Sequence, residues 1–354
     1  MGKTNRQRWI DTALLQSDGE VLIEVGFTNP VWAQYGRHLE KLVLKHKNFF
    51  PNYTEGQTNF DELAKNPDQI CDREYTDNWG CKWHTLREWD VGQIMYHPLA
   101  DLSAFADYTP PDAYEVTDWT GKYNWEEYAA SVAAIHERGE RSYAVGGRIF
   151  ERAHFLMGME NMMVAMAEDN PVFTKIMGMV IYFSLSTINN HLMHGKPDEF
   201  FFPDDLGDQR SLLISPTAWR KHFKPGYRAM FAAARQAGCI AHLHSDGYNA
   251  EVFDDLVEIG LNILNCQALL IGFDRVIEGL RGRMCINADV DRQTVMPYGT
   301  PNDVREYVKE MILTLGSPKG GLIVGAGIYP GVPLGNIEAF LDASAEYRNY
   351  WVDK

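Results

Sequence analysis

CIAHLHSDGYNAEVFDDLVEIGLNILNCQ, residues 239–267, holds a complete strand–helix–strand unit. Residues 239–244 are a short, mostly apolar run, residues 250–260 place Val252, Phe253, Leu256, Val257 and Ile259 at helical spacing, and residues 261–267 bring a second short run with Leu261, Ile263, Leu264 and Cys266. Two strands joined by a crossover helix lie parallel, and a succession of such units builds an α/β fold. In an extended strand residues two apart point the same way, so His242, His244 and Asp246 share one face while Ala241 and Leu243 take the other. Three groups able to hold a metal or move a proton therefore meet at one strand end. A lone buried histidine usually does no more than hydrogen-bond inside a packed sheet. Two of them in His-x-His-x-Asp spacing at a strand end point to a functional site.

Outward from this unit, β-rich runs alternate with amphipathic helical stretches along most of the chain. Strands are expected over residues 20–27, 141–145, 199–203, 239–244, 262–266, 283–287 and 321–324. Helices are expected over 31–47, 125–137, 150–167, 171–194, 216–237, 250–259, 301–315 and 335–351. Ser215-Pro216 and Thr300-Pro301 each place a capping residue before a proline at the first helical position. The rhythm predicts a (β/α)8 TIM barrel with an N-terminal extension. Its strand ends carry polar groups, namely Asp204 and Asp205, His244 and Asp246, Gln267, and Asp289 and Asp291, and a barrel builds its site from those ends. A doubly wound open sheet would be expected to show a Gly-rich phosphate loop after an early strand, which is missing.

A chain of 354 residues, 45% hydrophobic, can bury one large core or two ordinary ones. Internal repeats, low-complexity tracts and linkers are not found, so residues 1–354 are expected to form a single domain. The net charge of −15 disfavours a nucleic-acid partner. Residues 1–17 are polar rather than signal-like, and no run approaches the ~20 apolar residues of a membrane span. A cytoplasmic location without membrane contact is the expectation. The cysteines Cys71, Cys81, Cys239, Cys266 and Cys285 are odd in number and form no Cys-x-x-Cys pair. They are expected to be reduced and mostly buried. Residues 75–98 (YTDNWGCKWHTLREWDVGQIMYHP) alternate in polarity and are rich in aromatics, which predicts an inserted antiparallel β-hairpin. Its tryptophans, Trp79, Trp83 and Trp89, either pack it on the barrel or make it a lid or partner surface.

Several segments together resemble the uroporphyrinogen decarboxylase superfamily. They are Phe202-Pro-Asp204-Asp205-Leu-Gly207-Asp-Gln209, Leu213-Ile-Ser215-Pro216 with Trp219, the His244-Ser-Asp246-Gly247 turn, Gly260-Leu-Asn-Ile-Leu-Asn265, Pro297-Tyr-Gly-Thr-Pro301 and Val332-Pro-Leu-Gly-Asn-Ile337. The resemblance implies a (β/α)8 barrel and one of two chemistries, tetrapyrrole decarboxylation or corrinoid-dependent methyl transfer. The decarboxylases carry an Arg-Gln-Ala-Gly-Arg signature and a Phe-Ser-Asp segment. Here the nearest match is Ala33-Gln34-Tyr35-Gly36-Arg37 and Phe-Ser-Asp is missing. A substrate with many carboxylates also needs several basic partners, whereas these strand ends offer acids and histidines.

In the methyltransferase branch a His-x-Cys-Gly motif and a downstream cysteine hold zinc. Here the motif reads His244-Ser245-Asp246-Gly247, and the downstream position falls near Gly325-Ala326-Gly327. Oxygen ligands in place of thiolates make a harder Lewis-acid site suited to an oxygen leaving group. The resemblance therefore implies an O-demethylase methyltransferase that moves a methyl group from an aryl methyl ether to cobalamin. The cobalamin belongs to a separate corrinoid protein, since this chain lacks an Asp-x-His-x-x-Gly lower-ligand motif. His244 and Asp246 are the candidates for zinc binding or acid catalysis, with Asp205 a further catalytic candidate and a possible additional ligand or substrate contact. Glu151, Gln267, Asp291 and Tyr329 are candidate substrate contacts, and Glu151 and Asp291 are also possible further ligands. A homodimer is possible. A tetrapyrrole decarboxylase and a binding barrel that has lost catalysis remain the alternatives.

Overall fold

The computed structural model describes residues 2–63, 69–87, 92–352 and 354. Its strands are β1 (Leu22–Phe27), β2 (Arg73–Thr76), β3 (Lys82–Thr85), β4 (Gln93–Tyr96), β5 (Tyr143–Val145), β6 (Glu199–Pro203), β7 (Ile240–His244), β8 (Ile263–Cys266), β9 (Cys285–Asp289) and β10 (Leu322–Ile328). All seven strands expected from the sequence are present, with β9 and β10 running on to Asp289 and Ile328. The helices Trp125–Glu137, Pro171–His194 and Pro301–Leu315 have the expected bounds. Three expected helices are each broken in two. Gly158, at φ +81°, separates Phe150–Met157 from Met159–Ala167. Pro225, whose ring would clash with the carbonyl one turn back, forces a break at Phe223 between Pro216–His222 and Lys224–Gln236. Gly36 separates Asn29–Tyr35 from Arg37–Lys45. Parallel strands alternating with helices make this an α/β protein.

Contacts divide the chain into two compact units, residues 1–10 with 67–264, and residues 11–66 with 265–354. In the first, β5, β6 and β7 run parallel, with Val145 opposite Phe201, Phe201 opposite His242 and Pro203 opposite His244. Phe200 and Phe202 are fully buried, and Phe202 meets Phe231 of the helix Lys224–Gln236. Helix Pro171–His194 contains a window of mean hydropathy 1.4, long and apolar enough to cross a membrane by length and composition, contrary to the sequence expectation. It also buries Phe173, Ile176, Val180, Phe183 and Ile188 inside the unit.

The segment read as a two-stranded hairpin is a three-stranded antiparallel sheet, β2–β3–β4. The alternation that suggested a hairpin begins earlier, at Arg73 of β2, and a third strand, β4, pairs antiparallel with β3. Trp79 and Trp83 are buried; Trp89 and Glu88 lie outside the described residues. Asp77, in the turn before β3, organises the sheet. Its Oδ1 accepts from the amides of Trp79 and Cys81, and its Oδ2 accepts from the Trp83 indole and, at 2.7 Å, from Arg152.

In the second unit β1, β10 and β9 are parallel, with Leu22 opposite Ile323 and Val324 opposite Ala288. The first strand of the chain thus lies beside the last. Helix Pro301–Leu315 starts with the predicted cap: Thr300 Oγ1 accepts from Asp303 N, and Asp303 Oδ2 accepts from Thr300 N. The five cysteines are free thiols, all buried except the half-buried Cys71.

Candidate active site

Two loops at the carboxyl ends of β6 and β7 are laced together by backbone. Asp204 N donates to His244 O and Tyr248 N donates to Asp208 O. Ser245, wholly buried, accepts at Oγ from Leu206 N. Gly247 has φ +79°, and a Cβ there would run into the backbone of Gly207 and Asp208. The Asp-Asp-Leu-Gly and His-Ser-Asp-Gly segments are therefore a matched pair, because neither loop has room for a side chain where they cross.

This crossing brings Asp205, His244 and Asp246 together, with one ligand atom from each lying within 4.8 Å of the others. His244 Nε2 is 3.5 Å from Asp205 Oδ1 and 3.6 Å from Asp246 Oδ1, and Asp246 N donates to Asp205 Oδ1 at 2.8 Å. Zinc–nitrogen and zinc–oxygen bonds of about 2.0–2.2 Å in a tetrahedron put neighbouring ligand atoms about 3.4 Å apart. One imidazole and two carboxylates at these separations fit a divalent ion with a further position open. All three side chains are half-buried, as a reachable site requires. The sequence chose these residues from a strand period and a family motif, and the fold places them in one cluster.

His242 shares the strand face but not the cluster. Its Nδ1 is 2.6 Å from Glu199 Oε1, and Glu199 Oε2 accepts from Arg141 at 2.5 Å. Burial pushes the Glu199 carboxyl up, but Arg141 and His242 outweigh it and hold it below the usual range. That trio is internal pairing.

Glu151 lies in the same unit, in the first turn of helix Phe150–Met157. The wholly buried Asp204 accepts at that helix start from Ile149 N at 2.7 Å, Phe150 N at 2.9 Å and Glu151 N at 2.7 Å, and from the Tyr227 hydroxyl at 2.6 Å. Burial holds the Asp204 carboxyl above its usual range, and these four donors offset that rise only in part. The Glu151 side chain pairs with Arg148 at 3.0 Å. Burial raises its carboxyl to about 8, with Arg148 opposing and the charges of Asp204, Asp205 and Asp118 adding to the rise. A carboxyl that keeps its proton near neutrality is a proton donor. Sequence reasoning had Glu151 as a substrate contact or ligand and did not see this, because the charges that add to the rise, Asp118, Asp204 and Asp205, come from other parts of the chain and are brought near by the fold.

Gln267 and Asp291 line a pocket in the second unit, together with Leu269, Leu270, Asp289 and Arg292. Asp291 accepts at Oδ1 from Gln293 N and Thr294 N and at Oδ2 from Thr294 Oγ1, so it also shapes its own loop. The Tyr329 hydroxyl is 3.4 Å from Arg292 NH1. Arg292, unremarkable in the sequence, is the added member of this group.

A sequence model of the uroporphyrinogen decarboxylase (URO-D) family matches residues 144–347, more than half of the chain. No curated protein matches it. Among solved structures, a methyltransferase from Methanosarcina mazei is similar over 98% of this chain and 99% of its own, with TM-score 0.65 and 14% identity. That likeness concerns the fold. A Xanthomonas albilineans dihydropteroate synthase overlaps 45% of this chain and 58% of its own at 12% identity, and its TM-score of 0.31 is too low to bear on the fold.

Proposed function

Since the chain belongs to the uroporphyrinogen decarboxylase family, we propose that it is a methyltransferase acting on a methylated small molecule, an aryl methyl ether, with the cob(I)alamin of a separate corrinoid protein as acceptor. The observation that carries this reading is the donor set of Asp205, His244 and Asp246, in which a carboxylate occupies the position of a thiolate in the resembling branch. The same proposal treats residues 1–354 as one (β/α)8 barrel domain working in the cytoplasm.

In the transfer the methyl group would pass from the ether oxygen to the cobalt of the acceptor, the O–CH3 bond breaking as the new bond forms, and the oxygen would leave with its bonding electron pair and take up a proton to become a phenol. A phenol has a pKa of ~10, so a phenolate expelled near neutrality needs a proton or a cation. His244, Asp246 and Asp205 would hold zinc, which when bound supplies Lewis acidity toward an oxygen. Glu151 supplies the proton, a contribution of about 10²–10⁴ in rate for a positioned acid. Arg148, 3.0 Å from Glu151, takes up the carboxylate that remains. Asp204, capping the helix start, positions Glu151 and does not itself react.

The test is methylcobalamin formation, followed by absorbance, from methoxyarenes, methylamines and methyl thioethers under reducing conditions with a reduced corrinoid acceptor. Turnover of methoxyarenes above the other classes is expected. Efficient turnover of an amine or thioether with none of any methoxyarene would overturn the substrate assignment.

A further inference from the structure

A pocket of about 200 Å³ lies at the carboxyl ends of β8 and β9. That is below the ~300–1,000 Å³ of pockets for drug-sized ligands, so its occupant is of single-ring size. Leu269, Leu270 and Val290 give it an apolar wall, and Arg292 is the cation of its lining. The Arg292 guanidinium carbon sits 5.5 Å from the centre of the Tyr329 ring. A guanidinium held against an aromatic face has a defined plane, and its fork of N–H donors matches a carboxylate better than a hydroxyl or an amine does.

The two acids of the lining are engaged elsewhere. Asp291 accepts from three donors of its own loop, at 2.6 to 2.7 Å. Asp289 Oδ1 accepts from Asn265 Nδ2 at 2.9 Å. Their charges still oppose a dianion. An apolar wall, one planar cation and two flanking carboxylates together select a ligand with a flat apolar body and a single negative charge.

We infer that this pocket binds a small aromatic monocarboxylate, its ring against Leu269, Leu270 and Val290 and its carboxylate paired with Arg292. The binding stands apart from the proposed chemistry and does not depend on it.

Titration calorimetry of the full chain without any corrinoid uses three probes of similar size, 3-methoxybenzoate, anisole and benzylamine. The carboxylate should bind at least about tenfold more tightly than the other two, given the strength of charge-assisted hydrogen bonds. Arg292→Ala should lose about ten- to a hundredfold in affinity for 3-methoxybenzoate. Arg292→Lys, which keeps the charge and loses the fork, should fall between, and a melting curve checks that both variants fold. Equal affinity in wild type and Arg292→Ala, preference for anisole or benzylamine, or no binding of any probe overturns the assignment. Carboxylate binding without methylcobalamin formation would sink the proposed function and leave the pocket assignment standing. Turnover of neutral methoxyarenes without carboxylate binding would do the reverse.

Discussion

Replacing Glu151 by Gln gives two readouts whose signs follow from the structure. Burial, opposed by Arg148 and reinforced by Asp204, Asp205 and Asp118, raises this carboxyl from an ordinary 4.5 to about 8. A carboxyl whose folded pKa exceeds its unfolded one holds its proton better in the folded chain. Its effect on stability is negligible below pH 4.5, then becomes a penalty that grows as pH rises toward 8 and levels off beyond. At about 1.4 kcal/mol per pH unit, the window amounts to about 3–5 kcal/mol. Glutamine keeps similar size and cannot ionise, so it escapes the penalty. Wild type and Glu151→Gln should melt at similar temperatures near pH 5, and the variant should be more stable by several degrees at pH 8. Methyl transfer should move oppositely: the variant loses about 10²–10⁴ in rate, and wild-type activity falls as the proton leaves above pH 8. Differential scanning fluorimetry and methylcobalamin absorbance across pH 5 to 9 read the two effects. Melting curves that stay parallel over that range, with unchanged turnover, would refute both the buried environment and the acid role.

His244→Ala should leave the melting temperature within a few degrees of wild type and abolish methyl transfer, because a half-buried group at a strand end belongs to the site rather than the core. Asp246→Cys should retain or tighten zinc, read by metal analysis of the purified chain, while ether cleavage drops; loss of folding would mean that Asp246 is a structural cap. Asp204→Ala removes the acceptor for three amides and the Tyr227 hydroxyl, and at about 1–3 kcal/mol for each buried donor left unsatisfied it should cost at least about 3 kcal/mol in denaturant unfolding. Met95→Glu with Tyr96→Glu, on the exposed strand β4, should impair transfer to a protein-bound corrinoid more than to free cobalamin if the partner docks on that sheet; equal losses would remove β4 from the docking surface.

The parallel strands were legible because each is a short apolar run between helices, and a period of two at His242, His244 and Asp246 marks one face whatever the tertiary context. The same period could not separate the two histidines. His242 is paired internally because Glu199, 43 residues earlier, lies 2.6 Å away, and no local pattern carries that. Helix breaks were missed at Gly36 and Gly158, single glycines within otherwise helical stretches. The Pro225 break was in principle readable, since a proline inside a helical pattern ends or kinks it. Arg292 went unnoticed and Glu151 was read as a contact or ligand rather than a proton donor for a common reason: their chemistry is conferred by neighbours brought in by the fold.

The antiparallel sheet and the proposed proton donor are joined by a chain of buried charges. Asp77 of the sheet holds Arg152 at 2.7 Å; Arg152 also binds the Asp118 carboxylate at 3.2 Å and its carbonyl; Asp118 pairs with Arg148 at 3.0 Å, and Arg148 with Glu151. Arg152 is wholly buried and lies within 5.3 to 5.9 Å of the ring centres of Trp79, Trp119 and Phe155. Removing one partner of such a pair leaves an uncompensated charge, at a cost of about 3–5 kcal/mol. The sheet is therefore fastened to the residue that follows Glu151, and it cannot swing away without breaking that pair. Its position also sets how firmly Arg148 is held against Glu151, and so how strongly the carboxyl keeps its proton.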